Sequence, residues 1–242
     1  NALDHALSVT AHIDAALERG SRAERLGFNQ SDRIRRESRS ALRDELNAIA
    51  RLFGEEGLDL YRGGTDEGAL FFGPFKKTRA FFAGASVKPP LSRAVRFSIG
   101  AELYSHRRGS ASLLGLELEE LAMFAEDLHR IARGEQAASR AIKGVSLGFL
   151  ERRAFKAALE RTGSVADLER VLRILRLEHD RASLLAVGDL HETLRLVIGG
   201  APEPAKVEGN ERGLALFSFF IDRRAAAFHR LYGAGQWVES HE

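Results

Sequence analysis

The spacing of apolar residues predicts helices near the start of the chain. Over residues 2–53 apolar positions recur every three to four residues, as they do on the buried face of an amphipathic helix, and two helices are predicted. Ser31 is the expected N-cap of the second helix. The apolar stripe of this second helix comprises Ile34, Leu42, Leu46, Ile49 and Phe53. Its opposite face carries a row of arginines, Arg36, Arg39 and Arg43.

Between residues 54 and about 118 the helical spacing gives way to alternation. Glycine, aromatic residues and proline become frequent there, and VRFSIGAEL at 95–103 alternates apolar with polar residues, which predicts a half-buried strand. A helix stays open as an alternative, because Leu91, Val95, Ile99 and Leu103 also form an i, i+4 series. Companion strands are expected at 58–61, 69–72 and 112–118, and a short helix at 76–85.

Helical spacing returns at 119–133 and continues through the second half of the chain. Ser164 and Asp167 have the spacing of a capping box, which marks the start of a helix. Ser146 is the expected cap of an earlier one. The helices expected here cover 147–161, 165–182, 189–198 and 211–232, with a polar link at 134–146 and a linker-like stretch at 199–210.

This order of elements predicts a predominantly helical α+β fold. It consists of an N-terminal helix pair, a small antiparallel β region and a C-terminal helical bundle. We divide the chain provisionally into residues 1–133 and 134–242, and leave open that the two parts pack as one domain.

The amino-acid composition limits the kinds of reaction and binding site that the chain can form. The 242 residues are 44% hydrophobic and carry a formal net charge of only +2, so a globular core is expected and charge alone does not favour nucleic acid. The sequence contains no cysteine, which excludes disulfides, thiol nucleophiles and cysteine-ligated metals. We expect no metal, no cofactor and no membrane association, and a cytoplasmic location, with a removed signal peptide as an open alternative.

The first candidate site is Arg62, which ends the strand-like run in LYRGG. This arginine, followed by Ser98 in RFSIG and by Glu117 and Glu119 in LELEE, resembles the residue order of the ADP-ribosyltransferase superfamily. The resemblance implies an NAD-using enzyme in which Arg62 contacts NAD. We favour the simpler interpretation, in which the glycines form a turn and Arg62 pairs with a nearby acid, Asp59, Asp66 or Glu67.

The second candidate site is FIDRRAAAFH, in which Arg224 and His229 are spaced as in the last helix of HEPN-type ribonucleases. The resemblance implies that the pair holds a scissile phosphate and moves a proton at the ribose 2′-hydroxyl. Chance alone predicts this arginine–histidine spacing as often as the chain shows it.

The third candidate is the row Arg36, Arg39 and Arg43, which could bind an acidic protein or a nucleic acid. Interleaved acids favour a solvated face instead. The sequence therefore leaves open whether the protein is an enzyme. We favour a non-catalytic macromolecule-binding or regulatory protein, with the transferase-like and ribonuclease-like activities as alternatives.

Overall fold

The computed structural model describes residues 2–18, 22–35, 37–75, 78–139, 142–162 and 164–222. It confirms the predicted α+β class with predominant helix. The helices are Ala2–Glu18 (α1), Arg22–Arg25 (α2), Ala41–Leu52 (α3), Arg93–Arg108 (α4), Ala111–Leu114 (α5), Leu121–Arg133 (α6), Phe149–Leu159 (α7), Val165–Val187 (α8), Leu190–Ile198 (α9), Pro204–Glu208 (α10) and Glu211–Ile221 (α11). The strands are Asp59–Arg62 (β1), Leu70–Phe75 (β2) and Thr78–Ala83 (β3), and two 3₁₀ turns cover Gln30–Asp32 and Leu118–Glu120.

The three strands form a mixed sheet in the order β1-β3-β2, rather than the antiparallel one predicted. β3 pairs in parallel with β1 and antiparallel with β2. The strands expected at 58–61 and 69–72 are confirmed. The helix expected at 76–85 is wrong, because this segment contains the central strand. Its alternate residues are buried on opposite faces of the sheet, which a strand allows and a helix does not.

Aromatic side chains fill one face of this sheet. Phe82 on the central strand stacks between Tyr61, at a centroid distance of 5.2 Å, and Phe71, at 4.9 Å. Phe28 closes this face edge-on to Phe82. On the other face, side chains from all three strands pack against α3 and α4. Both faces of a small sheet are thus buried.

The strand predicted at 95–103 is wrong, because these residues lie within α4. The i, i+4 series that competed with alternation buries Ile99 and Leu103. Ser92 caps the helix by accepting a hydrogen bond from the amide of Val95, and Gly109 ends it with a φ of 63°. The strand expected at 112–118 is also wrong, since α5 and a turn leading to the second 3₁₀ element occupy this segment.

α4 packs very closely on α8 at Gly100. A Cβ at this position would lie 2.5 Å from the Cβ of Ala186 and 3.2 Å from the carbonyl oxygen of Ala182, both on α8. The Ser183 hydroxyl donates to the carbonyl oxygen of Phe97 over 3.0 Å at the same contact. Glycine therefore lets the two helix backbones approach.

The second N-terminal helix begins later than predicted. Asn29 caps the 3₁₀ turn that contains Ser31, and α3 begins only after Ser40, whose hydroxyl accepts from the Arg43 amide. The intervening chain runs beside the sheet, where the amide of Ile34 donates to the carbonyl oxygen of Leu60 over 2.8 Å.

The C-terminal helices follow the sequence prediction more closely. The Ser164–Asp167 capping box is present, and α8 continues to Val187. α9 ends at Gly199 as expected, whereas α7 is capped at Gly148 instead of Ser146. The linker-like stretch at 199–210 contains the short α10. The helix predicted for 211–232 is confirmed as far as Ile221, and its remainder lies outside the described residues.

Residues from both predicted parts of the chain share the same cores. One core combines α1 with α6, α7 and the first half of α8. The other combines α3, α4 and the sheet with Ala182 and Ala186 near the end of α8. Among the helices described, none is long and apolar enough to span a bilayer.

Candidate functional site

Arg62 holds the end of β1 to the loop that follows β3. Its Nη2 donates to the carbonyl oxygens of Ala85, over 3.1 Å, and Val87, over 3.2 Å. Gly64 has the positive φ expected of these glycines, 75°, and a Cβ there would lie 2.8 Å from the Leu26 carbonyl oxygen. The predicted acidic partner of Arg62 is wrong, because the guanidinium bonds carbonyl oxygens. Asp59 instead pairs with Arg33 over 2.8 Å.

The other residues of the transferase resemblance lie on separate elements. Ser98 is on α4, not on a strand, and its hydroxyl donates to the Ala94 carbonyl oxygen over 3.2 Å. Glu117 lies 3.4 Å from Arg176 on α8, and Glu119 is exposed in the second 3₁₀ turn. Within the described ranges, no hydrogen bond or ion pair joins Arg62 to any of these three. The helix at Ser98 removes the serine strand that the resemblance requires.

The predicted arginine row does not form a helical face. Arg39 is exposed in the segment before α3, whereas Arg43 is buried and donates to the carbonyl oxygens of Arg35, over 2.7 Å, and Ser38. Arg36 lies outside the described residues, as do Arg224 and His229 of the ribonuclease hypothesis. Since α3 begins at Ala41, Arg39 and Arg43 do not lie on one helical face.

A cavity of about 330 Å³ lies between α1, α2, β2, α4 and α5. We call it the carboxyl cavity, because the buried carboxyl group of Asp14 lines it and the half-buried one of Glu102 binds two lining residues, Arg22 and Phe72. Its apolar lining comes from α1, α5 and the edge strand β2. The lining residues are Asp14, Leu17, Arg22, Arg25, Phe71, Phe72, Gly73, Pro74, His106, Ala111, Ser112 and Gly115.

Glu102, on α4, fixes one side of this cavity. Its Oε2 accepts the backbone amide of Phe72 over 2.7 Å, and its Oε1 accepts Nη1 of Arg22 over 3.3 Å. The Arg22 guanidinium lies over the Phe71 ring, 4.2 Å from its centroid. Burial raises the pKa of Glu102, against the opposing effects of the Phe72 amide, Arg22 and His106.

Asp14, on α1, fixes the opposite side. Its two oxygens accept the amides of Ala111, over 2.8 Å, and Ser112, over 2.9 Å, at the start of α5. Burial raises the pKa of this carboxyl as well, while the nearby Ser112 hydroxyl, these two amides and His106 oppose the rise. His106 acts on both carboxyls, and its ring is edge-on to Phe72 at 5.4 Å. The carboxyl oxygens at the polar wall of the cavity therefore already accept hydrogen bonds from within the protein.

Arg25 differs from these groups. It is exposed at the end of α2, lines the cavity, and forms no hydrogen bond or ion pair with any residue that the structure describes. Arg22 uses one donor, Nη1, toward the described part of the chain. Two guanidinium groups therefore face a mostly apolar cavity with donors to offer a ligand.

Sequence reasoning missed this site. Its polar members come from α1, α2, α4 and α5, and none belongs to a recognisable motif. The one local signal was the pair Glu102 and His106, four residues apart, which shares a helix face once 93–108 is read as helix. Among the residues described, no group of three His, Asp or Glu side chains is placed to hold a metal ion.

Comparison with protein-family models, with curated proteins and with solved structures gives no match for this chain.

Proposed function

We propose that the protein is a non-catalytic binding protein and that its carboxyl cavity holds a small organic carboxylate. The observation that carries this proposal is Arg25, whose guanidinium lies at the wall of an apolar cavity and has no hydrogen-bond or ion-pair partner among the described residues. A carboxylate accepts two parallel hydrogen bonds from a guanidinium, which is among the strongest polar contacts in proteins. Arg22, held in place by Glu102 and Phe71, is the second donor group.

The carboxyl groups support binding more than catalysis. Each of the four oxygens of Asp14 and Glu102 already accepts a hydrogen bond, three of them from backbone amides. A general base needs an oxygen within hydrogen-bond reach of the substrate proton. These oxygens instead hold β2 and the start of α5 in place, so they shape the cavity.

The size and lining of the cavity define the rest of the ligand. A volume of about 330 Å³ is at the lower end of the range for small-molecule sites. Leu17, Phe72 and Pro74 contribute apolar surface that favours a flat or aliphatic body. We therefore assign the site to carboxylates about the size of phenylacetate.

The arginine row gives less support to a macromolecular partner. Arg39 is exposed, but Arg43 is buried and donates to the carbonyl oxygens of Arg35 and Ser38 in the loop before α3. The proposed binding function therefore rests on the cavity. A regulatory role would operate through ligand occupancy.

Two probes that differ in charge test the proposal. Phenylacetate and its neutral amide, phenylacetamide, are titrated into the full chain by calorimetry. We expect saturable binding of phenylacetate and at least a tenfold weaker affinity for the amide, a difference of about 1.4 kcal/mol. Arg25→Gln should weaken phenylacetate binding about tenfold, whereas Arg51→Gln, at an exposed position on α3, should not change it. Equal affinities for the two probes, or equal losses in the two variants, would contradict the proposal.

A steric variant tests the location independently of charge. A Cβ at Gly73 would lie 3.9 Å from His106 Nε2 and from the Phe71 ring, an ordinary contact distance. Gly73→Ala should therefore keep the melting temperature of the parent and lower the affinity for phenylacetate. Unchanged affinity in a folded Gly73→Ala variant would place phenylacetate elsewhere.

A further inference from the structure

A second cavity, of about 430 Å³, lies on another face of α4. We call it the arginine cavity. α4 and α8 supply its polar residues, and the end of α3 with two further α8 residues supplies its apolar ones. The lining residues are Leu52, Phe53, Tyr104, Arg107, Arg108, Glu178, Arg181, Ala182 and Leu185.

The charges around this cavity are unequal, since three guanidinium groups meet one carboxylate. That carboxylate, Glu178, lies 3.4 Å from Arg108 and accepts a hydrogen bond from the Tyr104 hydroxyl. Burial and the adjacent Glu178 raise the pKa of Tyr104, so its hydroxyl stays protonated and acts as a donor. Glu178 is therefore already engaged by two neighbours.

The two remaining guanidinium groups have no carboxylate partner among the described residues. Arg107 donates to the carbonyl oxygen of Phe53, a neutral acceptor. Arg181 lies over the Phe219 ring at 5.3 Å, and its buried Nε has no hydrogen-bond acceptor in the described part of the chain. The cavity is therefore lined by two guanidinium groups whose charge no described carboxylate balances, and a bound anion would balance it.

We propose that the arginine cavity binds the phosphate group of a small molecule. A phosphate monoester is close to a dianion at neutral pH, which matches the two unneutralised guanidinium groups, and its oxygens accept bidentate hydrogen bonds from arginine. Leu52, Ala182 and Leu185 give the cavity an apolar side for the organic part of the ligand. This site is separate from the carboxyl cavity and does not depend on its function.

Titration of the full chain with phenyl phosphate and with inorganic phosphate tests this assignment. We expect saturable binding of phenyl phosphate that weakens as salt is raised, because exposed charges are screened. Inorganic phosphate should bind at least tenfold more weakly, since it lacks the apolar part. Equal affinities would overturn the organic part of the proposal and indicate a site for free phosphate. Absence of saturable binding for both probes would overturn the proposal entirely.

Single variants locate the site. Arg181→Gln and Arg107→Gln should each lower the affinity for phenyl phosphate about tenfold. Arg170→Gln is the matched control, because Arg170 is exposed on the same helix as Arg181 and lies outside the cavity. Arg25→Gln, which alters the carboxyl cavity, should also leave this affinity unchanged. Equal losses in Arg170→Gln or in Arg25→Gln would contradict the assignment.

Chemical modification of the unaltered protein covers the case in which Arg107→Gln fails to fold. Phenylglyoxal modifies accessible arginine side chains, and mass spectrometry reports the modification rate of each one. Saturating phenyl phosphate should slow the modification of Arg107 and Arg181 several-fold and leave that of Arg170 unchanged. Equal rates with and without phenyl phosphate at Arg107 and Arg181 would overturn the proposal.

Discussion

The carboxyl cavity and the arginine cavity share α4 but balance their charges in opposite ways. At the carboxyl cavity, the carboxyl groups of Asp14 and Glu102 accept hydrogen bonds mainly from backbone amides, and burial is the largest influence on their pKa values. In the arginine cavity, guanidinium groups outnumber the carboxylate, and two of them lack an acidic partner in the described structure. α4 therefore carries both a carboxyl group that shapes one cavity, Glu102, and a guanidinium group without an acidic partner among the described residues, Arg107.

The geometry of a helix explains how α4 supplies both. Successive residues are rotated by about 100°, so positions four apart share a face and positions two apart point to nearly opposite sides. His106 lines the carboxyl cavity and Glu102 binds Arg22 and Phe72 in its wall, whereas Tyr104 and Arg108 line the arginine cavity. The alternation of residues that suggested a strand at 95–103 continues to the end of α4. There it places successive pairs of residues on two sides of the helix, each beside a different cavity.

The largest effect is expected where both cavities depend on one contact. Gly100→Ala places a Cβ 2.5 Å from that of Ala186, so α4 must move away from α8. Overpacking costs about 1–3 kcal/mol and the better helix propensity of alanine returns about 1 kcal/mol. We expect a net loss of up to about 2 kcal/mol in the free energy of unfolding, measured by urea denaturation, together with weaker binding of both phenylacetate and phenyl phosphate.

Gly115→Ala is the control for that variant. Gly115 has a φ of −77°, and a Cβ there would lie 3.6 Å from the Ala111 carbonyl oxygen, an ordinary contact distance. Its unfolding free energy should stay within about 0.5 kcal/mol of the parent. If Gly100→Ala were as stable as Gly115→Ala, the close α4–α8 contact would not be needed to form the cavities.

A smaller effect should be confined to the arginine cavity. Tyr104→Phe removes the hydroxyl that donates to Glu178, while Arg108 stays as a partner of that carboxylate. We expect a loss of about 1 kcal/mol in the free energy of unfolding. The Glu178 charge becomes more available to the neighbouring arginines, so phenyl phosphate should bind more weakly. Phenylacetate binding should not change, and a parallel loss for both probes would contradict the separation of the two sites.

The smallest effect concerns pH and the carboxyl cavity. The folded-state pKa of Glu102 is raised above the ordinary 4.5, so the folded chain holds this proton more tightly than the unfolded chain. This contribution to stability is complete below the ordinary pKa and is lost as pH rises through the folded-state pKa. Glu102→Gln cannot ionise, and its unfolding free energy should therefore fall less steeply above about pH 4.5.

Urea denaturation of both proteins at several pH values measures this difference. Asp14 also has a raised pKa, so part of the pH dependence should persist in the variant. Identical pH dependence in the two proteins would show that Glu102 does not titrate differently on folding.

Much of the helical fold could be predicted because its signals are local. The Ser164–Asp167 capping box and the glycine after α9 act within a few residues, and both were read correctly. α4 was ambiguous because alternation and the i, i+4 series coincide in the same residues. Its caps, Ser92 and Gly109, were visible in the sequence and would have favoured the helix. The central strand β3 was missed although β2 lies next to it in sequence, with Phe75 paired to Thr78, because its residues were interpreted as a short helix.

The candidate site could not be predicted in the same way. Asp14, Arg25 and Glu102 gain their roles only when α1, α2 and α4 pack around the edge of the sheet. The burial that raises the pKa of the two carboxyl groups is a property of that packing. The transferase hypothesis relied only on the order of residues along the chain. In the structure, Arg62 instead donates hydrogen bonds to two backbone carbonyl oxygens.

The hydrogen bond between Glu102 and Phe72 also bears on self-association. An open sheet edge exposes unpaired backbone groups that can pair with a strand of another molecule, and β2 is such an edge with three phenylalanines. Glu102 occupies the Phe72 amide on this edge, and the chain near Arg33 and Ile34 bonds to the opposite edge at β1. At both borders of this aromatic-rich sheet, backbone groups that a strand of another molecule could use are therefore already bonded within the chain.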